Sequence, residues 1–345
     1  MERSGGPLFK CENNDHMVIT IGVIWEFWTS RKECQLKDSF ASPGKLRVWI
    51  TAFRPAFHTV GVFPYTLGAT ISYHYLGIFD WWLWATGSLA VILIMSATHL
   101  SGECFDYRED RISWSRGSSK FAGGSGVIPL KLISRKQALA AGVFSIGMAI
   151  VLGLIIWLGL GTGPWTIPIG AIGVIGGVFY SSPPFRWVSS GFGEFWIFFC
   201  YGFLTVAAGV YLPLGEIPLI SFFVSVPIAG TIFNVIFANE YPDYESDRAA
   251  QKWNLLTRIG RARGVWIYTI FSTGSNIFFG LSIIAGVPWV ALIFYVFPFL
   301  ISLHCVRGFI RGDWKDPSRL EILCGLGIVV NLGTTLSYIM AFALT

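Results

Sequence analysis

Glu103-Cys-Phe-Asp106-Tyr107-Arg-Glu-Asp110-Arg111 and Glu240-Tyr-Pro-Asp243-Tyr244-Glu-Ser-Asp247-Arg248 are two copies of one pattern, E-x-x-D-Y-x-x-D-R. Each copy directly follows a long uncharged stretch, and together they hold eight of the 20 acidic residues in the chain. Within each copy the acids at the first, fourth and eighth positions fall on one face of a helix. Carboxylates at the edge of an apolar segment are costly unless something pairs with them. A single such string would pass for an ordinary solvated helix end. Two matched strings point to a bound ligand.

The surrounding composition sets the class. The chain has 345 residues, 53% of them hydrophobic and only 13% charged, with a mean hydropathy of +0.59. These values exclude an ordinary soluble domain and indicate a polytopic membrane protein, since one crossing needs about 20 apolar residues. Uncharged stretches cover 55–79, 81–102, 137–185, 195–215, 217–239, 264–306 and 322–345. Two of them are long enough for two crossings each, broken by the Gly- and Pro-containing runs 159–164 and 285–288. The expectation is therefore an all-α membrane protein with nine transmembrane helices, in two pseudo-repeated halves around a central cavity. Residues 46–345 are read as this domain, and residues 1–45 as a cytoplasmic N-terminal arm.

Charge asymmetry supports the span assignment. All 25 Lys and Arg fall in the arm or in the loops after the second, fourth, sixth and eighth crossings. By the positive-inside rule this side is cytoplasmic, so both acidic strings are expected to face the cytoplasm. The net charge of +5 then reflects contact with anionic headgroups of the bilayer, not nucleic acid. The six Cys lack metal or redox spacing, and His58, His74, His99 and His304 lack ligand spacing and are read as structural.

Six carboxylates facing one another would repel strongly. Mg²⁺ relieves this, because it takes one or two carboxylates together with phosphate oxygens and water. A diphosphate held between two such ions becomes a good leaving group. Basic partners are Lys120, in the loop Lys120-Phe-Ala-Gly-Gly-Ser125-Gly, and Arg186, the one basic residue between 137 and 247. Glycines in that loop let the backbone approach an anion closely. Arg186 is divided between a phosphate and a lipid headgroup. Arg248, Lys252, Arg258, Arg261 and Arg263 read mainly as topology and lipid contacts, and Gly173-x-x-x-Gly177 as helix packing. Pro242, inside the second string, frees the carbonyl of Ala238 and is expected either to bend that helix or to follow its end near Asn239.

From about residue 45 onward the chain resembles the UbiA superfamily of intramembrane prenyltransferases, whose two motifs are N-D-x-x-D-x-x-x-D and D-x-x-x-D. The first corresponds to Gly102-Glu103-x-x-Asp106-x-x-x-Asp110, and the second to Asp243-x-x-x-Asp247 preceded by Asn239-Glu240. Arg54-Pro55, Phe105-Asp106-Tyr107, Gly123-Gly124-Ser125 and Asn254–Gly260 look most like the branch that prenylates 1,4-dihydroxy-2-naphthoate in menaquinone biosynthesis. Gly102 and Glu103 depart from the family's Asn and Asp.

The resemblance implies a polyprenyl diphosphate, an aromatic acceptor and Mg²⁺. It implies metal-holding and catalytic roles for Asp106, Asp110, Asp243 and Asp247. Lys120, Arg186, Tyr180, Glu103, Glu240, Asn239 and Ser125 are then expected around the substrates. The base is left open among Glu103, Glu240, Glu194 and the substrate itself. Other acceptors (homogentisate, 4-hydroxybenzoate, a glyceryl or sugar phosphate) keep the same fold. An ion transporter is the reading from a different class, weakened by the lack of any charged residue near the middle of a crossing.

Overall fold

Helix starts and stops follow local chemistry in this computed structural model, which describes residues 44–345 other than 117, 118, 120 and 122. Residues 1–43 of the expected arm and Lys120 lie outside the described residues. The helices are α1 (Lys45–Phe53), α2 (Pro55–Leu76), α3 (Trp81–Phe105), α4 (Tyr107–Ser115), α5 (Arg135–Leu154) and α6 (Thr166–Ser181). They continue with α7 (Gly193–Phe199), α8 (Thr205–Leu214), α9 (Leu219–Ala249), α10 (Leu255–Ile259), α11 (Arg261–Ile284), α12 (Ala291–Arg311) and α13 (Pro317–Leu344). A π-helical turn extends α5 to Gly159, and a second joins α7 to α8. Asp80 caps α3 by accepting from Trp82 and Leu83 N–H, and Ser134 with Gln137 forms a capping box on α5. Asp316 caps α13, with Pro317 in its first turn.

Seven helical segments are long and apolar enough to cross a membrane by length and composition. They are Trp81–Phe105, Arg135–Gly159, Gly193–Leu214, Leu219–Ala249, Arg261–Ile284, Ala291–Arg311 and Pro317–Leu344. The protein is thus an integral, multi-pass, all-helical membrane protein. The two other expected crossings are helical but fall outside this set. α6 has 16 residues, and α2, with 22, is diluted by His58, His74, Pro64 and several Thr and Tyr.

Packing places corresponding pairs alike: α3 runs along α5, as α9 runs along α11. α2 packs on α8, and α13 contacts α2, α9 and α12. The α2–α8 approach is close because Gly68 and Gly209 face each other's backbones, leaving no room for a Cβ. In the adjoining core Phe279 stacks between Tyr295 and Tyr338, with centroids 3.5 and 4.5 Å away.

The two acidic strings adopt different backbones. The second lies wholly within α9, which continues through Pro242 to Ala249. The first does not form one helical stripe: α3 ends at Phe105, Asp106 (φ −92°, ψ 14°) bends the chain, and α4 begins at Tyr107. α4 packs against α9, which brings the two strings together.

Candidate active site

Asp106, Asp110, Asp243 and Asp247 all line one polar cavity of about 220 Å³. Glu103, Tyr180, Asn239 and Glu240 line it too. Asp106 is buried, and its two oxygens accept from Ser181 Oγ (3.1 Å) and Arg186 Nη2 (2.8 Å). The same Arg186 nitrogen lies 2.6 Å from Glu109. Asp243 accepts from Ser113 Oγ (2.7 Å) and from the Gly123 N–H (2.9 Å). Asp247 accepts from Asn254 Nδ2 (2.7 Å), and Lys252 Nζ lies 3.6 Å from its other oxygen.

The glycine loop does approach an anion, but the anion is the protein's own carboxylate. Gly123 N–H bonds Asp243, and Gly124 (φ +66°) faces Asp110 so closely that a Cβ there would strike the carboxylate. Ser125 N–H donates to Glu103 Oε1 at 2.6 Å. Arg186 bridges Asp106 and Glu109 and is not part of the cavity wall.

The cavity demands positive charge. Glu103 Oε2, Asn239 Oδ1 and Glu240 Oε2 are buried acceptors without partners. Burial first, then Glu103 and Asp106, pushes the Asp110 carboxyl well above the usual carboxylate range; Lys252 opposes this, and Asp243 adds a lesser push. Burial alone would lower the Lys252 ammonium, but Asp247, Asp106, Glu109 and Asp243 outweigh it and raise it well above its ordinary value. The hard carboxylate oxygens suit Mg²⁺. Among the described residues no group of three or more His, Cys, Asp and Glu side chains is placed to hold a metal ion by itself.

A second, apolar cavity of about 400 Å³ adjoins the first. Met95, Thr98, Tyr180, Ile197 and Tyr201 belong to the walls of both. Gly173 and Gly177 of α6 line it beside Ile94, so they leave space as well as pack helices.

Residues 61–323 match the model of the UbiA prenyltransferase family. The chain belongs to this family. It is accordingly a membrane-embedded prenyltransferase. It is 23% identical over 318 residues to the 1,4-dihydroxy-2-naphthoate octaprenyltransferase of Bacillus subtilis, covering 90% of this chain and 98% of that protein. It is 29% identical over 287 residues to the chloroplastic 2-carboxy-1,4-naphthoquinone phytyltransferase of Arabidopsis thaliana, covering 79% and 70% respectively. A solved UbiA homolog from Archaeoglobus fulgidus, bound to GPP and Mg²⁺, has the same fold, with a TM-score of 0.58 at 14% identity over 86% of this chain and all of that one. A digeranylgeranylglyceryl phosphate synthase structure gives a TM-score of 0.62 at 14% identity over 87% and 99%.

Several residues of this UbiA-family site escaped the sequence reading. Lys252, read as a topology signal, is nearly buried and lines the cavity. The signal was its place five residues after Asp247, where Gln251 (φ 62°) turns the chain back. Glu109, given no role from sequence, is buried against Arg186. His99, read as structural, lines the polar cavity with Arg54. Glu194 does not line it and instead accepts from Leu255 N–H at 2.7 Å.

Proposed function

We propose that this chain moves a polyprenyl group from its diphosphate to an aromatic acceptor, 1,4-dihydroxy-2-naphthoate, in a Mg²⁺-dependent reaction of quinone biosynthesis. The observation that carries this reading is the convergence of both acidic strings on one polar cavity sharing a wall with an apolar one. The diphosphate fits the first, and an isoprenoid tail fits the second. The names of the Bacillus and Arabidopsis relatives support a naphthoate acceptor. The Archaeoglobus structure's bound GPP and Mg²⁺ support the donor and metal.

Asp106, Asp110, Asp243 and Asp247 would hold the ions. Bound Mg²⁺ supplies charge neutralisation of the diphosphate. Lys252 adds a largely buried positive charge beside Asp247, and Lys120 is the basic residue that the sequence places in the glycine loop. Arg186 keeps Asp106 and Glu109 in place across the bend after α3. Asn239, Glu240 and Tyr180 orient the reacting ends where the two cavities meet. As the allylic C–O bond breaks, aromatic faces such as Tyr180 and Tyr201 favour the developing cation. All described Lys and Arg outside the helices lie at the acidic end, which supports a cytoplasmic opening.

The test is purified protein with Mg²⁺, a polyprenyl diphosphate and a panel of acceptors, with products identified by mass. Prenylated naphthoate is expected as the main product. Asp106→Asn and Asp243→Asn should each lower turnover by about 10³-fold or more, as loss of a transition-state charge contact does. Full activity in either variant removes the metal assignment, and product only with another acceptor removes the naphthoate.

A further inference from the structure

We propose that Asn254 and Glu194 are positioning residues of the acidic site: Asn254 fixes the carboxylate of Asp247, and Glu194 fastens the loop that carries Asn254 and Lys252. The proposal rests on the metal-holding role given to Asp247 in the prenyl-transfer reading above.

Asp247 is the last carboxylate of the second string, and its side chain is buried. Asn254, 1% exposed, donates from Nδ2 to Asp247 Oδ2 at 2.7 Å. Oδ1 of the same amide accepts from the Thr257 N–H at 2.8 Å and caps α10. The two contacts fix which way the amide faces: its oxygen must meet the N–H, and its nitrogen the carboxylate. They also divide the oxygens of Asp247. Oδ2 is committed to Asn254. Oδ1 lies 3.6 Å from Lys252 Nζ, and it is the oxygen left for a ligand in the polar cavity, whose wall includes Asp247 and Lys252.

Lys252 and Asn254 belong to one closed loop. Gln251 (φ 62°) turns the chain after α9, the Lys252 N–H donates to the Asp247 carbonyl at 2.8 Å, and the Lys252 carbonyl accepts from Thr257 Oγ1 at 3.0 Å. Glu194 anchors that loop from α7. Its Oε1 accepts from the N–H of Leu255, the first residue of α10, at 2.7 Å, and its side chain also reaches Glu240 of α9. Glu194 is 2% exposed and lies outside the cavity wall, so it acts on the site through the loop. A buried carboxylate is costly unless it is bonded. The bond made here goes to the segment that supplies Asp247 with both of its side-chain partners among the described residues.

Capping and positioning can be separated at Asn254. Serine caps a helix about as well as asparagine. Its hydroxyl ends one bond nearer the backbone and cannot hold the Thr257 N–H and reach Asp247 together. If Asn254 only capped α10, Asn254→Ser would be silent. Glu194 divides in the same way. Glu194→Gln keeps an oxygen for the Leu255 N–H and loses only the charge, whereas Glu194→Ala loses the bond.

The experiment uses the full-length protein in detergent, below the onset of melting of each variant. Binding of Mg²⁺ with inorganic pyrophosphate is followed by calorimetry, and turnover of geranyl diphosphate with 1,4-dihydroxy-2-naphthoate by product mass. Amide hydrogen exchange over residues 251–260 follows the loop. Asn254→Ser should melt close to wild type. It should nevertheless weaken Mg²⁺–pyrophosphate binding and lower turnover by about 10- to 100-fold each, as loss of a partner that orients a metal-holding carboxylate does. Glu194→Ala should speed exchange across the loop and weaken the same binding by about 10-fold, and Glu194→Gln should recover most of both. The inference is overturned if Asn254→Ser binds and turns over within twofold of wild type, if Glu194→Ala leaves exchange and binding unchanged, or if Glu194→Gln is as impaired as Glu194→Ala. Should Asn254→Ser not fold, the two Glu194 variants decide alone. Asp247→Asn separates the two readings. If it keeps wild-type binding and turnover, the metal-holding role fails; if it loses both while the Asn254 and Glu194 variants lose neither, only this inference fails.

Discussion

Asp110 shows how the site's charge is balanced at the level of single residues. Its raised pKa means that protonation, not ionisation, favours the folded state. Its contribution to stability is complete below the ordinary value of 3.8 and is lost as pH rises through the higher folded value. Without divalent cations, thermal stability should therefore fall as pH rises above about 4. Mg²⁺ should flatten that slope, and Asp110→Asn should flatten it without Mg²⁺; a slope unaffected by either would contradict this account. Gly124 gives a second test. Gly124→Ala must adopt φ +66° and press on Asp110, whereas Gly77→Ala adopts φ +70° with open space around it. Both should lose about 1–2 kcal/mol in thermal or denaturant melts from backbone strain, but only Gly124→Ala should also lose most of its turnover. The four aspartates were legible because a repeated acidic spacing stands out in an apolar chain. His99 and Lys252 were not, because a lone His and a loop Lys carry no periodicity. Their places depend on the Phe53 carbonyl and on the turn at Gln251.

The helices themselves were more legible than their interruptions. Hydropathy places α9 correctly, yet it could not decide whether Pro242 bends the helix or follows its end. The helix continues, and the Ala238 carbonyl that Pro242 leaves without its N–H partner accepts from Cys324 Sγ of α13 at 3.5 Å. A thiol given no role from sequence thus satisfies a buried backbone oxygen 86 residues away. Cys324→Ala should destabilise the protein by about 1–3 kcal/mol in excess of its small loss of volume. In Pro242→Ala the new N–H can serve the same carbonyl, so Cys324→Ala should cost less in that background. A double-mutant cycle by thermal or denaturant melting measures the coupling. Strict additivity would show that the thiol contact contributes nothing. The break at Asp106 was invisible for the opposite reason. Nothing in Glu103–Asp110 is a helix breaker, and the bend coincides with Ser181 and Arg186, which arrive from elsewhere in the chain and bind Asp106 and Glu109.

At the scale of the whole molecule, the segregation of Lys and Arg identified one end of the bundle. The structure brings the acidic-side ends of α3, α6 and α9 together there: Arg186, just beyond α6, reaches the end of α3, and Asp243 of α9 bonds the loop after α4. What segregation could not convey is the depth of the space beneath that end. It depends on which faces of α3, α6 and α8 are left unfilled, and the glycines of α6 serve both packing and space. A Cβ at Gly173 would make only ordinary contacts, 3.5 Å from Ile94 and 3.8 Å from Leu204, so a side chain there can be built without breaking the helix contacts. A large one must then project into the apolar cavity of about 400 Å³. Gly173→Phe should leave short donors such as geranyl diphosphate nearly unaffected. It should lower kcat/KM for the longest accepted donor by on the order of tenfold or more, as obstruction of an apolar pocket does. A series of polyprenyl diphosphates of increasing length, assayed with a single acceptor, reads this as a shift in the preferred chain length. An equal loss at every length would place the tail elsewhere, because a blocked tail path penalises only donors long enough to reach the block.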